Sequence, residues 1–258
     1  MHIFQLFSSF VIHRIAALYR NKTDAFIQDF INHVLKDFKF CPDFEFIEKK
    51  RSALLQNPEL LSAPDFGAGS RKTRQLTTGE AIRIASVNPR YGRLLYRLTA
   101  RYKPSQVIEL GTAAGISTLY LAFGNRDAEV ITVEGNPQLA DLAAGNFKNS
   151  GLNNVTVVNS TFDEALPGLI SNMAPDSLVY IDGNHTSEAT LRYYSVFTGH
   201  AGKKPILVFD DINWSADMRY AWHMMHKRAS TGIIIDLFFM GIYFDNSQSP
   251  LQIVRFNY

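Results

Sequence analysis

From Lys103 onward the sequence alternates short β-rich runs with helical patterns, and that alternation limits the fold more than any other feature. QVIEL precedes a helical pattern from Ile116, EVITVE precedes Pro137 to Asn149, and NVTVV precedes Asp163 to Ile170. SLVYID and PILVFDD follow, each ahead of a further helical stretch, Thr186 to Phe197 and Trp214 to Lys227. Five strand–helix units in series specify a parallel sheet with helices on both faces, because each parallel pair needs a crossover and each crossover helix must bury its apolar stripe. Two strand-like segments, TGIIIDLFFMGIYF and LQIVRF, close the chain with no helical pattern between them. A turn at Asn246–Pro250 would pair them as an antiparallel hairpin, with Gly241 marking a bulge. The expected fold is α/β: a Rossmann-like, doubly wound, mostly parallel sheet of seven strands with an antiparallel C-terminal hairpin, preceded by a helical N-terminal region.

That N-terminal region reads as helices, with apolar positions at helical spacing in Ile3–Leu18, in Phe26–Val34 and from Ile82 through Leu98. Asn21, Thr23 and Asp24 offer N-caps for the second pattern, and Thr77 or Thr78 for a later one. The expected division is a helical extension or lid over residues 1–100 and a cofactor-binding domain over 101–258. The first 20 residues are apolar, but Ser8, Ser9, His13 and Arg14 interrupt the run before it could span a membrane, so an amphipathic helix is expected. One cysteine, Cys41, fits a reducing compartment and, with no membrane segment, a cytoplasmic location. Residues 1–104 hold 17 Lys and Arg against 9 Asp and Glu, whereas residues 105–258 hold 9 against 15. The basic excess suits an anionic small-molecule substrate and is too diffuse to indicate nucleic acid. The apolar N-terminal helix offers a surface for a homodimer.

Two glycine loops compete for a cofactor. DFGAGS, from Asp65, follows LSAP and precedes RKTRQ, so it has neither a strand before it nor an amphipathic helix after it; it reads as a turn. ELGTAAGIS, from Glu109, leaves the strand QVIEL and opens the helix ISTLYLAF, where glycines admit close backbone approach and the helix start supplies N–H groups. A dinucleotide would need Gly-x-Gly-x-x-Gly, yet Ala113 and Ile116 stand at the second and third glycines. No Tyr-x-x-x-Lys pair and no Gly-x-x-x-x-Gly-Lys-Ser/Thr loop occur. Glu134, ending the second strand, fits a ribose diol. The pattern calls for an adenosine cofactor without a pyrophosphate, and S-adenosylmethionine meets that description.

From about Ser86 to the end the chain resembles the class I S-adenosylmethionine-dependent methyltransferases, in particular the O-methyltransferases like catechol O-methyltransferase. VIELGTAAGIS is similar to the family's first motif, ITVEGNP to its second, and VVNSTFDEAL to its third strand and exit. The resemblance implies that Glu109, Gly111, Ala113 and Gly115 form the turn under the donor's methionine part, and that Ser117 binds its carboxylate. It places Glu134 on the ribose and Gly135 beside the adenine, with Thr161 and Phe162 at the adenine edge and face. Ser86 and Val87, in SVNPRYGRLLYRL, would touch the donor as well.

Acidic residues then collect where two strands end: Asp182 in YIDGNH, and Asp210 with Asp211 in VFDDINW. In the metal-dependent members of that family the matching positions hold a divalent cation. The resemblance therefore implies Asp182, Asp210 and Asp211 as metal ligands for Mg²⁺ or another divalent cation, with Asp211 standing where the family has asparagine. The alternative is that Asp210 and Asp211 cap the helix from Trp214. His185 occupies the position of the family's proton-accepting lysine and is expected as general base, with Asp182 also catalytic or touching the donor. Asn213, Trp214 and Met218 lie where they could line a substrate pocket. The sheet domain has no cysteine for base C5 methylation, and YIDGNH stands where amino-methylating enzymes of bases carry Asn/Asp-Pro-Pro-Tyr/Phe. An oxygen nucleophile on a small acceptor is the expected target. A non-catalytic adenosine-binding or assembly module, or a nicotinamide-dependent oxidoreductase, are the competing readings.

Overall fold

A computed structural model describes residues 24–36, 40–61, 76–200, 202–245 and 249–258. The expected helix over Ile3–Leu18, the DFGAGS turn with the basic residues behind it, and most of the turn before Pro250 lie outside the described residues. The chain divides into two compact units: Asn32–Met173, and Ala174–Tyr258 joined by the N-terminal segment up to Ile31.

In the first unit β1 (Gln106–Leu110), β2 (Glu129–Glu134) and β3 (Val155–Asn159) run parallel in the order β3-β2-β1. Every residue of β1 is buried, whereas β3 holds only half-buried and exposed residues, as an outer strand does. The helices Ile116–Gly124, Pro137–Lys148 and Phe162–Ser171 start within a residue of where the sequence pattern puts them. The first is apolar almost all round, and all its residues from Ile116 to Phe123 are buried. It packs on the helix Pro89–Tyr102, where Gly92 leaves room for the ring of Tyr120.

The pattern from Ile82 through Leu98 is two helices rather than one. Thr78–Ala85 is closed by a capping box from Thr77 and Glu80, and Pro89–Tyr102 starts afresh behind the Asn88 cap. Pro89 forces the break, since the residue before proline is pushed out of the α region. A helix over Pro42–Leu54 has no counterpart in the periodicity reading, because its buried face includes Arg51 between Ile47 and Leu54. Arg51 Nε is matched there by Glu48 at 3.1 Å.

The second unit holds β4 (Leu178–Ile181), β5 (Ile206–Phe209), β6 (Ile233–Asp236), β7 (Gly241–Phe244) and β8 (Gln252–Arg255). The order is β4-β5-β7-β6-β8; β4 is parallel to β5, β7 is antiparallel to β5 and β6, and β8 is parallel to β6. The described strands therefore number eight instead of seven. TGIIIDLFFMGIYF is itself the antiparallel hairpin, and the last strand returns parallel to β6 rather than pairing across the turn before Pro250. The α/β class and the mostly parallel sheet with antiparallel strands near the C-terminus are as expected. The helix Ala25–Phe30, capped by Asp24, lays Phe26 and Phe30 against Phe244, and Phe30 against Phe256. No helix among the described residues is long and apolar enough to cross a membrane.

Gly241 is no bulge: it stays in register with Phe209 on one side and Asp236 on the other. A Cβ there would lie 2.3 Å from the Trp222 ring, which rests on the sheet at that point. Gly241→Ala is expected to cost about 1–3 kcal/mol in chemical denaturation. Shrinking the ring in a Gly241→Ala/Trp222→Phe double variant should recover part of that loss; full additivity of the two substitutions would contradict the packing described.

Candidate functional site

The loop after β1 is built around a buried acid. Glu109 lies opposite Thr132 in the β1–β2 register and is fully buried. Its Oε2 accepts hydrogen bonds from the hydroxyls of Thr132 at 2.6 Å and Thr118 at 2.5 Å. The Thr112 hydroxyl in turn contacts that of Thr132. Oε1 has no hydrogen-bond partner among the described residues. Burial pushes the Glu109 carboxyl up to about 7, although the threonine hydroxyls and Ser117 act in the opposite direction.

Beyond Glu109 the backbone turns through three left-handed residues, Gly111 (φ 109°), Ala113 (φ 46°) and Gly115 (φ 85°). Gly115 is additionally pressed by Phe147, whose ring would stand 2.5 Å from an added Cβ. Three bonds pin the loop: the Gly111 N–H to the Val133 carbonyl, Asn146 Nδ2 to the Ala114 carbonyl, and the Ala113 N–H to Glu134 Oε2 at 2.8 Å. The helix Ile116–Gly124 starts from Gly115 without a side-chain cap, with Ser117 buried in its first turn. The start of this helix, with no side-chain cap and at the positive end of the helix dipole, is suited to a carboxylate.

Glu134 ties the neighbouring strand ends together. Its Oε1 accepts from the Asn136 N–H at 2.8 Å, and its carbonyl accepts from Asn159 Nδ2 and the Ser160 N–H. Gly135 forms the bend between Glu134 and the Asn136 cap. Thr161 and Phe162 follow at the exit of β3, where the Thr161 hydroxyl is engaged with Glu164 as the cap of the next helix. That bond gives Thr161 a structural role at the position expected to meet the adenine. Ser86 ends the helix Thr78–Ala85, and Val87 is buried beside it. The residues expected to bind the donor, Asp182 apart, therefore all belong to the first unit. Thr112, Thr118, Thr132 and Asn146 escaped the sequence reading; the available signal was a threonine inside the otherwise apolar EVITVE.

The acidic cluster belongs to the second unit. Asp182 directly follows β4 and Asp210 follows β5, and the register of Ile181 with Phe209 sets them at adjacent strand ends. Tyr180, fully buried, donates its hydroxyl to Asp210 Oδ2 at 2.6 Å and lies 3.1 Å from Asp182 Oδ2. Asp211 has φ 55°, and its N–H meets Asp210 Oδ1 at 2.9 Å. His185 Nε2 stands 3.7 Å from Asp182 Oδ1, on a turn where Asn184 has φ 62° and reaches the Tyr193 hydroxyl. Burial raises the Asp210 carboxyl to about 7, with the neighbouring Asp211 charge adding to it. Burial also raises Asp211 and lowers His185, and the attraction between those two opposes both shifts. A histidine held neutral can accept a proton near pH 7.

The helix after β5 is capped by Ser215 and not by Asp210 or Asp211. Asn213 is fixed to the Phe238 carbonyl, Trp214 is 57% exposed, and Met218 and Trp222 are core. Among the described residues no group of three or more His, Cys, Asp or Glu side chains is gathered as a metal ion would require.

The shift at Glu109 makes a stability prediction. A carboxyl raised in the folded state contributes stability that is complete below its ordinary value of 4.5 and lost as pH rises through about 7. Across that window the wild type should lose up to about 3 kcal/mol relative to Glu109→Gln in urea unfolding. Parallel pH profiles for the two proteins would show that the carboxyl is not perturbed.

Comparison with known proteins agrees with this geometry. Residues 108–212 match a family model described as a methyltransferase domain. A catechol O-methyltransferase of Mycobacterium tuberculosis is 30% identical over 135 residues, covering 52% of this chain and 59% of that protein. A release factor glutamine methyltransferase of Salmonella typhimurium is 32% identical over 93 residues, covering 35% of this chain and 34% of that protein. The chain thus spans little more than half the length of the curated catechol enzyme it matches. The crystal structure of an O-methyltransferase from Bacillus cereus, in complex with SAH, superposes with a TM-score of 0.54 at 17% identity, over 84% of this chain and 96% of the other. That likeness concerns the fold. Residues 108–212 are thus similar in sequence to a methyltransferase domain, and the fold is similar to that of the Bacillus cereus O-methyltransferase.

Proposed function

We propose that the protein transfers a methyl group from S-adenosylmethionine to a hydroxyl of a small acceptor. The observation that carries this reading is the loop from Glu109 to Ser117. Its left-handed turn leads into a helix start without a side-chain cap, a setting suited to an amino-acid carboxylate, and Glu134, which we read as the ribose ligand, staples that turn. The donor supplies an electrophilic methyl on a sulfonium sulfur; the protein's tasks are to hold it, align the acceptor and remove a proton.

On this reading Ser117 and the backbone of Gly111 to Gly115 hold the donor's methionine end. Glu134 and Gly135 hold the ribose and the edge of the adenine, while Phe162, Ser86 and Val87 complete the contacts. Glu109 Oε1, buried and without a hydrogen-bond partner among the described residues, is an acceptor for the donor's ammonium group. His185 removes the acceptor proton, with Asp182 orienting the imidazole and stabilising its charged form. The choice of oxygen rests on the catechol O-methyltransferase similarity and on a histidine held neutral; nothing in it requires a cation at the three aspartates. We assign the catalytic domain to residues 101–258 and a helical extension or lid to residues 1–100. The basic excess of the N-terminal part suits an anionic acceptor. Cytoplasmic residence and a homodimer through the apolar N-terminal segment belong to the same proposal.

Calorimetry with S-adenosylhomocysteine should show saturable binding to the wild type, weakened about tenfold or more in Glu134→Ala, which loses a charged acceptor and the loop staple together. No binding to either protein would remove the reading in favour of another nucleotide. Binding without turnover on any hydroxylated acceptor would favour a non-catalytic module. His185→Gln should lower kcat about a hundredfold while leaving affinity for the donor product intact; unchanged kcat would dismiss His185 as the base.

A further inference from the structure

We propose that the Tyr180 hydroxyl takes the place between Asp182 and Asp210 that a divalent cation would need, so that this pair is held by a shared hydrogen rather than by a metal. Tyr180 is then the positioning residue for the Asp182–His185 pair. The inference deepens the proposed function and rests on it only for the role of His185; the claim about the carboxylates stands on their own geometry.

Tyr180 sits two residues before Asp182, so the two side chains leave the strand on the same face. A fully buried tyrosine needs a partner for its hydroxyl, and here that hydroxyl reaches two carboxylates at once. A phenol has one hydrogen and two lone pairs. The short contact, 2.6 Å to Asp210 Oδ2, takes the phenol hydrogen, and the longer one, 3.1 Å to Asp182 Oδ2, shares it. The remaining oxygens are engaged as well: Asp210 Oδ1 accepts from the Asp211 N–H, and Asp182 Oδ1 faces His185 Nε2. Asp211 adopts its left-handed backbone there and so presents that N–H to Asp210.

A hard cation would have to compete for these same oxygens. It binds carboxylates at roughly 2.0–2.6 Å and takes about six or more oxygen ligands. The structure instead interposes a neutral donor, and among the described residues no third His, Cys, Asp or Glu joins the pair as a metal-binding group. With Tyr180 holding Oδ2 of Asp182, the opposite oxygen is turned to His185. Loss of the hydroxyl would remove one tether on Asp182 and the phenol that separates the two carboxylates. That is an environment in which a divalent ion would be gained.

The test titrates Mn²⁺ into wild type and Tyr180→Phe by calorimetry, alongside methyl transfer measured with and without EDTA. The expected result is no saturable Mn²⁺ binding and no chelator effect in the wild type. Tyr180→Phe should gain Mn²⁺ affinity by about tenfold or more and lose kcat, with affinity for S-adenosylhomocysteine retained. A wild type that binds Mn²⁺ more tightly than the variant, or whose activity EDTA abolishes and Mg²⁺ restores, would overturn the proposal. The Mn²⁺ arm on the wild type needs neither a folded variant nor an identified acceptor. It therefore separates failure of this inference from failure of the methyltransferase reading.

Discussion

The contact on which the donor half of the molecule depends is a carboxylate buried against threonine hydroxyls. Glu109 is fully buried, and its Oε2 is held by Thr118 and Thr132. One bond comes from the next strand and the other from the helix that follows the loop, so a single side chain fixes both ends of the turn. Glu134 repeats the device one strand over, with its carboxylate on the N–H groups of Ala113 and Asn136. The left-handed residues between two such anchors are pinned by the protein's own hydrogen bonds, which favours a preorganised loop.

The acidic cluster follows a different logic. Asp210, Asp211 and His185 are all pushed towards their neutral forms by burial, and their mutual interactions oppose or reinforce those shifts. Carboxylates set close together out of water need a counter-charge, a proton or a donor. Tyr180 and the Asp211 N–H supply donors to Asp210, and Asp182 Oδ1 faces His185 Nε2 at 3.7 Å. Chemistry follows from what the protein itself places around these oxygens.

Much of this was legible in the sequence, for identifiable reasons. The loop after β1 stood out because glycines follow an apolar run and precede a helical one, and the strand-end acids because Asp182 and Asp210 interrupt β-rich runs at their carboxyl ends. The hairpin inside TGIIIDLFFMGIYF was hidden because its turn, Leu237 to Met240, is apolar and carries no glycine, although Phe238 adopts φ 74°. The bend is held by a Phe238 N–H to Asp236 bond and by Leu237 N–H to the Met240 carbonyl, neither of which a hydropathy pattern reveals. Tyr180 was equally hidden: an aromatic residue in a buried strand reads as core until the partners of its hydroxyl are known. The helix Pro42–Leu54 was lost to periodicity because an arginine belongs to its buried face.

The central claim is that the chain moves a methyl group from S-adenosylmethionine to oxygen. The most direct measurement follows donor carrying a ¹³C-labelled methyl by NMR, with the wild-type protein and a panel of small hydroxylated acceptors, anionic ones included. The account predicts that the label appears in a new methyl group bonded to oxygen, at a rate proportional to protein. Label that remains on the donor throughout, or that moves to nitrogen, would contradict it.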